Sequence, residues 1–218
     1  MPRNLAAVEP RISSRPKPMA SFTDCTGVIL AGGRSSRMGT AKAWLDFEGE
    51  PLLVRIARRL REELTELVVV RAPGQELPRV AALLVADRVE GEGPLAGLAV
   101  GLPATRRPLA FVVSCDVPFV SLTVARGLLG LADEYDVVIP RWEGRLHPLQ
   151  AVYRAAIAPL VEAQLAAGRR RPADLYAHVR TRVVTEEELA EWDPRGRSFV
   201  NMNTRAEYEA ALTMSRST

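Results

Sequence analysis

One lysine closes the most glycine-rich turn of the chain, Leu30-Ala-Gly-Gly-Arg-Ser-Ser-Arg-Met-Gly-Thr-Ala-Lys42. Of the 29 Lys and Arg residues only two are lysine, Lys17 and Lys42. A chain that otherwise meets its need for positive charge with Arg keeps a compact ammonium here, a point charge on a flexible stem in place of a planar fork. Gly32 and Gly33 let backbone N–H groups turn toward an anion with no Cβ in the way. Arg34, Arg37 and Lys42 add positive charge to the same loop. The chemistry this suits is the binding of phosphate. Two acids stand at comparable places further on. Asp87 follows the apolar run Leu83–Ala86, and Asp116 follows Leu109–Ser114 in Ser-Cys-Asp-Val-Pro-Phe, where Pro118 stops regular structure. Phosphoryl and nucleotidyl transfer need a cation to screen phosphate charge, and Mg²⁺ prefers one or two carboxylates plus phosphate oxygens and waters. Asp116 is the carboxylate best placed to supply it.

The elements that must position these groups alternate between strand and helix. Thr26–Ala31, Leu67–Val70, Leu83–Ala86, Leu109–Ser114 and Asp136–Ile139 are short apolar runs with the length of buried strands, and Leu149–Tyr153 is a further strand. Pro51 opens an amphipathic helix with Leu52, Leu53, Ile56, Ala57, Leu60 and Leu64 on one face. Helices are also expected from Gly93 to before Pro103, from a Ser121 cap to about Ala132, over Ala155–Ala167 up to Gly168, and from about Thr204 to Leu212. Such alternation is the sequence form of a three-layer α/β/α sandwich with a mostly parallel sheet. Ligands of these sheets sit at the carboxyl ends of the strands, which is where Gly32–Gly33, Asp87 and Asp116 fall.

Composition narrows the classes. With 218 residues, 47% hydrophobic and 25% charged, the chain has the profile of a globular domain, expected as a single unit over residues 24–218. Residues 1–23 read as an extension without regular structure, with Met19 as a second candidate start. No apolar run approaches the roughly 18 residues of a membrane span. The formal charge of +3 resides largely in the leader, where Arg3, Arg11, Arg15 and Lys17 face Glu9 and Asp24. The interspersed, nearly balanced charge of the rest disfavours nucleic acid as the partner. Cys25 and Cys115 make no disulfide framework, and with no secretory signal a reducing cytoplasm is the expected setting. The glycine spacing is neither that of a P-loop nor G-x-G-x-x-G, which disfavours P-loop NTPases and nicotinamide-dinucleotide enzymes.

The loop Leu-Ala-Gly-Gly-x-x-x-Arg-Met-Gly resembles the signature of nucleotidyltransferases that transfer a nucleoside monophosphate from an NTP. Together with Gly93-Pro-Leu-Ala-Gly97, Cys115-Asp-Val-Pro-Phe119, Arg145-Leu-His-Pro-Leu149 and Phe199-Val-Asn-Met-Asn-Thr204, it is similar to the molybdenum cofactor guanylyltransferase (MobA) family over about residues 26–213. The resemblance implies a Rossmann-like nucleotidyltransferase fold. It implies transfer of GMP from Mg·GTP to molybdopterin, giving molybdopterin guanine dinucleotide and pyrophosphate. Carried over by position, Leu30, Ala31 and Gly32 would hold guanine and phosphates through their backbone. Gly33, Arg37 and Lys42 would hold the triphosphate, Asp87 the nucleoside, and Asp116 the Mg²⁺. Asn201, Asn203 and Arg170, within Arg169–Arg171, would lie at the pterin. Contacts with molybdoenzymes or cofactor-delivery proteins would be transient. Two departures stand out: Ala41 precedes Lys42 where the family commonly has Asp, and Arg71 stands where some members place Asn near the nucleotide. Two alternatives stay open, a cytidylyltransferase acting on molybdopterin or another small phosphorylated acceptor, and a non-catalytic nucleotide-binding protein. His147-Pro148, Trp44 and Trp142 are assigned to packing.

Overall fold

The computed structural model describes residues 20–32, 41–88 and 93–217. Gly33 and Arg37, the leader up to Met19 and its alternative start lie outside the described residues. In chain order the elements are β1 (Cys25–Leu30), β2 (Asp46–Phe47), β3 (Glu50–Pro51), α1 (Leu52–Arg61), β4 (Leu67–Arg71), β5 (Leu83–Ala86), α2 (Pro94–Gly101), β6 (Leu109–Ser114) and α3 (Leu122–Gly130). They continue with β7 (Val137–Trp142), β8 (Arg145–Leu146), β9 (Gln150–Arg154), α4 (Ala158–Ala166), α5 (Ala173–Tyr176), β10 (Thr181–Val184), α6 (Glu186–Leu189) and α7 (Arg205–Arg216).

The main sheet has the order β10-β7-β9-β6-β1-β4-β5, with β8 paired to β7 and β2–β3 forming a separate hairpin. Pairing is parallel except that β9 runs antiparallel to both β6 and β7, and β8 to β7. The expected three layers are present. Ile29, Val69, Phe111 and Val113 pack with α1, α3 and the Phe199–Met202 segment on one face. Val28, Leu30, Val68, Val70 and Val112 pack with α2, α4 and α5 on the other. Buried strands covered on both faces read as near-continuous apolar runs, which is why β1, β4 and β6 were recognisable as strands.

Local signals account for the helix ends. Of the six residues expected on the inner face of α1, Leu52, Leu53, Ile56, Ala57 and Leu60 are buried within the helix, while Leu64 is buried in the turn after it ends at Arg61. Arg58, Arg59 and Arg61 lie in its last turn, complementing the negative end of the helix. The Ser121 hydroxyl accepts a hydrogen bond from Val124 N at 3.3 Å, capping α3 as expected. Gly168 ends α4 with a positive φ of 78°.

Two expectations shift. The run Leu83–Ala86 is a strand but not a buried one. It forms the edge of the sheet, and Leu83 and Leu84 are 48% and 49% exposed. A short apolar run cannot reveal which strand of a sheet will have only one neighbour. Phe22, inside the segment expected to be an extension, is buried and carries the Arg126 guanidinium over its ring.

Among the described residues no helix is long and apolar enough to cross a membrane. Cys25 and Cys115 are free and buried, and burial pushes both thiols up to about 12. The native protein is therefore expected to resist an aromatic disulfide reagent at pH 8, and both thiols to react once denaturant is added. Rapid titration of either thiol in the native state would contradict this burial.

Candidate active site

The carboxyl ends of the four strands β5, β4, β1 and β6 lie nearly flush. Leu30 is level with Val70 on one side and Ser114 on the other, and Arg71 with Ala86. The residues just beyond them therefore line one rim of the sheet. Asp87 and Asp116 are three strand spacings apart on that rim, roughly 14 Å.

The backbone at the end of β1 is fully engaged on its donor side. Ala31 N and Gly32 N both donate to Val70 O, at 2.8 and 3.2 Å, while Leu30 O accepts from Cys115 N at 3.0 Å. Gly32 crosses β4 closely: a Cβ there would sit 3.1 Å from Ala72 N. Leu30, Ala31 and Gly32 thus stand at the expected place, but the N–H groups of Ala31 and Gly32 point into the sheet. What this corner offers a ligand is carbonyl oxygen, since each carbonyl keeps a second lone pair.

Lys42 opens a single 3₁₀ turn, Lys42–Trp44. Its ammonium donates to Asp116 Oδ2 at 2.9 Å and to Asn203 Oδ1 at 2.8 Å. Lys42 and Asp116 keep only 23% and 15% of their side-chain surface exposed. Three chain segments separated by 74 and 161 residues therefore meet at one nitrogen. The other carboxylate oxygen, Asp116 Oδ1, is buried with no hydrogen-bond partner among the described residues. A buried carboxylate oxygen left without a partner is costly, and such groups concentrate at functional sites.

The segment carrying the two asparagines is held by its backbone. Met202 is buried between exposed Asn201 and Asn203, and its N–H donates to Asp116 O at 2.9 Å. Thr204 and Glu207 form a capping box at the start of α7, and Glu207 Oε2 also accepts from Asn203 N at 2.7 Å. Below this segment, buried Gln150 donates to Ser198 O, and the Asp193 carboxylate accepts from Arg197 N and Ser198 N at 3.1 and 2.7 Å.

Asp87 donates its N–H to Arg71 O at 2.8 Å, and its carboxylate accepts from Arg88 N at 2.8 Å. It stands at the rim, two strands away from β1. Arg170 lies on the α2–α4 side. Its guanidinium donates to Leu165 O and Arg169 O at 2.9 and 3.1 Å, and its own carbonyl lies 3.5 Å from where a Gly93 Cβ would be. Among the described residues no hydrogen bond joins it to Asn201 or Asn203. Arg71 donates to Gln75 O at 2.9 Å.

His147 packs on Phe199 with ring centroids 4.8 Å apart, and burial lowers its pKa below the usual imidazole range. Trp142 stacks on the same Phe199. Both act in packing, as expected. Trp44 does not: it is 46% exposed, and its indole N–H donates to Glu76 O at 3.0 Å. Gln75 and Glu76 carry no motif and could not have been found by spacing or residue type.

Among the described residues no group of three or more His, Cys, Asp or Glu side chains is placed to hold a metal. The buried Asp116 Oδ1, without a partner among the described residues, is a donor of the kind that fits a hard cation whose remaining ligands are phosphate oxygens and water.

Residues 27–183 match the family described as MobA-like NTP transferase domain. A probable molybdenum cofactor guanylyltransferase from Pelotomaculum thermopropionicum is 35% identical over 87% of this chain and 92% of that protein. The molybdenum cofactor guanylyltransferase of Desulfosudis oleivorans is 32% identical over 85% of this chain and 93% of that protein. In fold, the chain resembles the crystal structure of molybdopterin-guanine dinucleotide biosynthesis protein A from Archaeoglobus fulgidus. That likeness has a TM-score of 0.75 at 22% identity and covers 88% of this chain and all of the other.

Proposed function

This chain belongs to the family of MobA-like NTP transferase domains and is a nucleotidyltransferase, and on that premise we propose that it transfers GMP from GTP to the terminal phosphate of molybdopterin, giving molybdopterin guanine dinucleotide and pyrophosphate. The observation that carries this reading is the convergence on Lys42 Nζ of Asp116, at the end of β6, and Asn203, at the start of α7. It supports a nucleotide site and an acceptor site that share one border.

The acceptor is a phosphate monoester, already anionic at pH 7, so the chain has no need of a strong general base. An acceptor oxygen attacks the α-phosphorus, a new P–O bond forms, and the bond to the β-phosphate breaks with its electrons leaving on pyrophosphate. The protein contributes positioning and fixed charge. Lys42 and Arg37 would hold the triphosphate with the amides of the loop from Gly33 onward. Asp87 would hold the nucleoside, and Asn201 and Asn203 the pterin, with Arg170 at the far side of the acceptor. Asp116 would hold Mg²⁺, which when bound would screen charge on the α-phosphate and the departing pyrophosphate.

The corner at Leu30–Gly32 favours guanine over cytosine. Its free hydrogen-bonding capacity consists of acceptors, and guanine presents an N1–H and an N2 amino group side by side, whereas cytosine pairs one amino group with two acceptors. Incubation with Mg²⁺, molybdopterin and each NTP in turn is expected to release pyrophosphate with GTP alone, with a product mass one GMP unit above molybdopterin. Turnover with CTP in preference to GTP would establish the cytidylyl alternative. Nucleotide binding without pyrophosphate release from any NTP would establish a non-catalytic binding protein.

A further inference from the structure

The turn after β4 touches the chain on both sides of the glycine-rich loop. On the near side, Gln75 Nε2 donates to Ala31 O at 3.1 Å. On the far side, Trp44 Nε1 donates to Glu76 O at 3.0 Å, two residues past Lys42. The turn is itself stiff. Gln75 Oε1 accepts from Ala72 N at 2.9 Å, Gln75 N donates to Ala72 O at 3.1 Å, and the Arg71 guanidinium donates to Gln75 O at 2.9 Å. Both hydrogen-bonding ends of one side-chain amide are thus used, the oxygen to hold the turn and the nitrogen to hold the loop. The base of the turn is anchored in the sheet, because Val70 O takes the N–H groups of Ala31 and Gly32 and Arg71 O takes that of Asp87.

We propose that Gln75 is a positioning residue for nucleotide binding: with Glu76 and Trp44 it clamps the residues before and after the glycine-rich loop. The proposal rests on the nucleotide role of residues 30–42. A chain that must wrap a triphosphate loses conformational freedom when it does so. Fixing Ala31 and Trp44 to a common turn meets part of that cost before the nucleotide binds. Gln75 would then act on nucleotide affinity without touching the reacting atoms. The acceptor-side residues Asn201 and Asn203 are anchored separately, through Met202 N and Asp116 O.

Gln75→Glu separates the two jobs of the amide. One carboxylate oxygen can still accept from Ala72 N, while the other faces the Ala31 carbonyl with no proton to donate. The expected result is a KM for GTP raised about tenfold, the scale of one lost hydrogen bond, with kcat and the KM for molybdopterin within about twofold of wild type. Trp44→Phe removes the second tie, and about a threefold rise in the same KM is expected from it. Amide hydrogen exchange at residues 30–32 and 42–45 is expected to quicken in Gln75→Glu and to stay unchanged along β6. Equal losses in kcat and in both KM values, or unchanged exchange at those residues, would overturn the clamp. If Gln75→Glu fails to fold, Trp44→Phe carries the same test: an unchanged GTP KM there overturns the proposal. The exchange measurement needs no substrate, so a wild-type protein that turns over no GTP would count against the proposed reaction, not against the clamp.

Discussion

Asp116→Ala is expected to lower kcat/KM for nucleotidyl transfer by about a thousandfold, since a bound metal supplies several kcal/mol of charge stabilisation and each 1.36 kcal/mol is tenfold in rate. The carboxylate is divided between two tasks. Oδ2 accepts from Lys42, and Oδ1 is buried without a partner among the described residues. Oδ1 is a destabilising feature unless it serves a ligand. Asp116→Asn sharpens the test, because the amide keeps the shape and still accepts from Lys42 but carries no charge for a cation. Activity should fall as far as in the alanine variant, while thermal unfolding stays at or near the wild-type temperature. Stability would hold because a neutral amide group at the buried Oδ1 position costs less than a charged oxygen there, even as the contact with Lys42 weakens. Manganese binding in the presence of GTP, followed by electron paramagnetic resonance, gives an independent readout. Full turnover by the asparagine variant would remove Asp116 from the metal role.

Lys42→Arg is expected to cost about a hundredfold in kcat/KM, and Lys42→Met about a thousandfold, the range seen when one preorganised donor is removed from a charged transition state. The charge is the same in Lys and Arg, but the geometry is not. The ammonium reaches Asp116 and Asn203 at 2.9 and 2.8 Å from a single nitrogen, with three donors that rotate freely. A guanidinium is longer, planar and fixed in its fork, so it would displace one of the two partners or push the loop outward. Comparing KM for GTP with kcat distinguishes lost binding from lost transition-state stabilisation. Near wild-type turnover by Lys42→Arg would mean that only charge matters at this position. The presence of a lysine at this position in an arginine-rich chain would then be incidental.

Much of the fold was legible because its signals are local. The apolar runs of β1, β4 and β6 could be read without knowing their neighbours, since each is covered on both faces. The inner face of α1 and the Ser121 cap follow from spacing and residue type within one or two helical turns. β5 shows the limit of such signals. Leu83-Leu84-Val85-Ala86 has the composition of a buried strand, yet sheet order makes it an edge, and order is a property of the whole sheet.

The candidate site divides along the same line. The sequence alone determined which groups were available: a glycine-rich turn closed by an ammonium, and carboxylates placed immediately after apolar strands. Residue type and near-neighbour spacing are sufficient for that, because they express the chemistry of each segment taken singly. The tertiary structure decided how those segments meet. Lys42 finds Asn203 across 161 residues only because β6 ends beside β1 and the Asp116 carbonyl captures Met202 N. It turned the N–H groups of Ala31 and Gly32 into the sheet, leaving carbonyls where phosphate-binding amides were expected. It gave Gln75 and Trp44 a function that their residue types do not announce. These contacts are made between backbone and side-chain groups far apart in the chain, and their existence depends on strand order and register, which no single segment encodes.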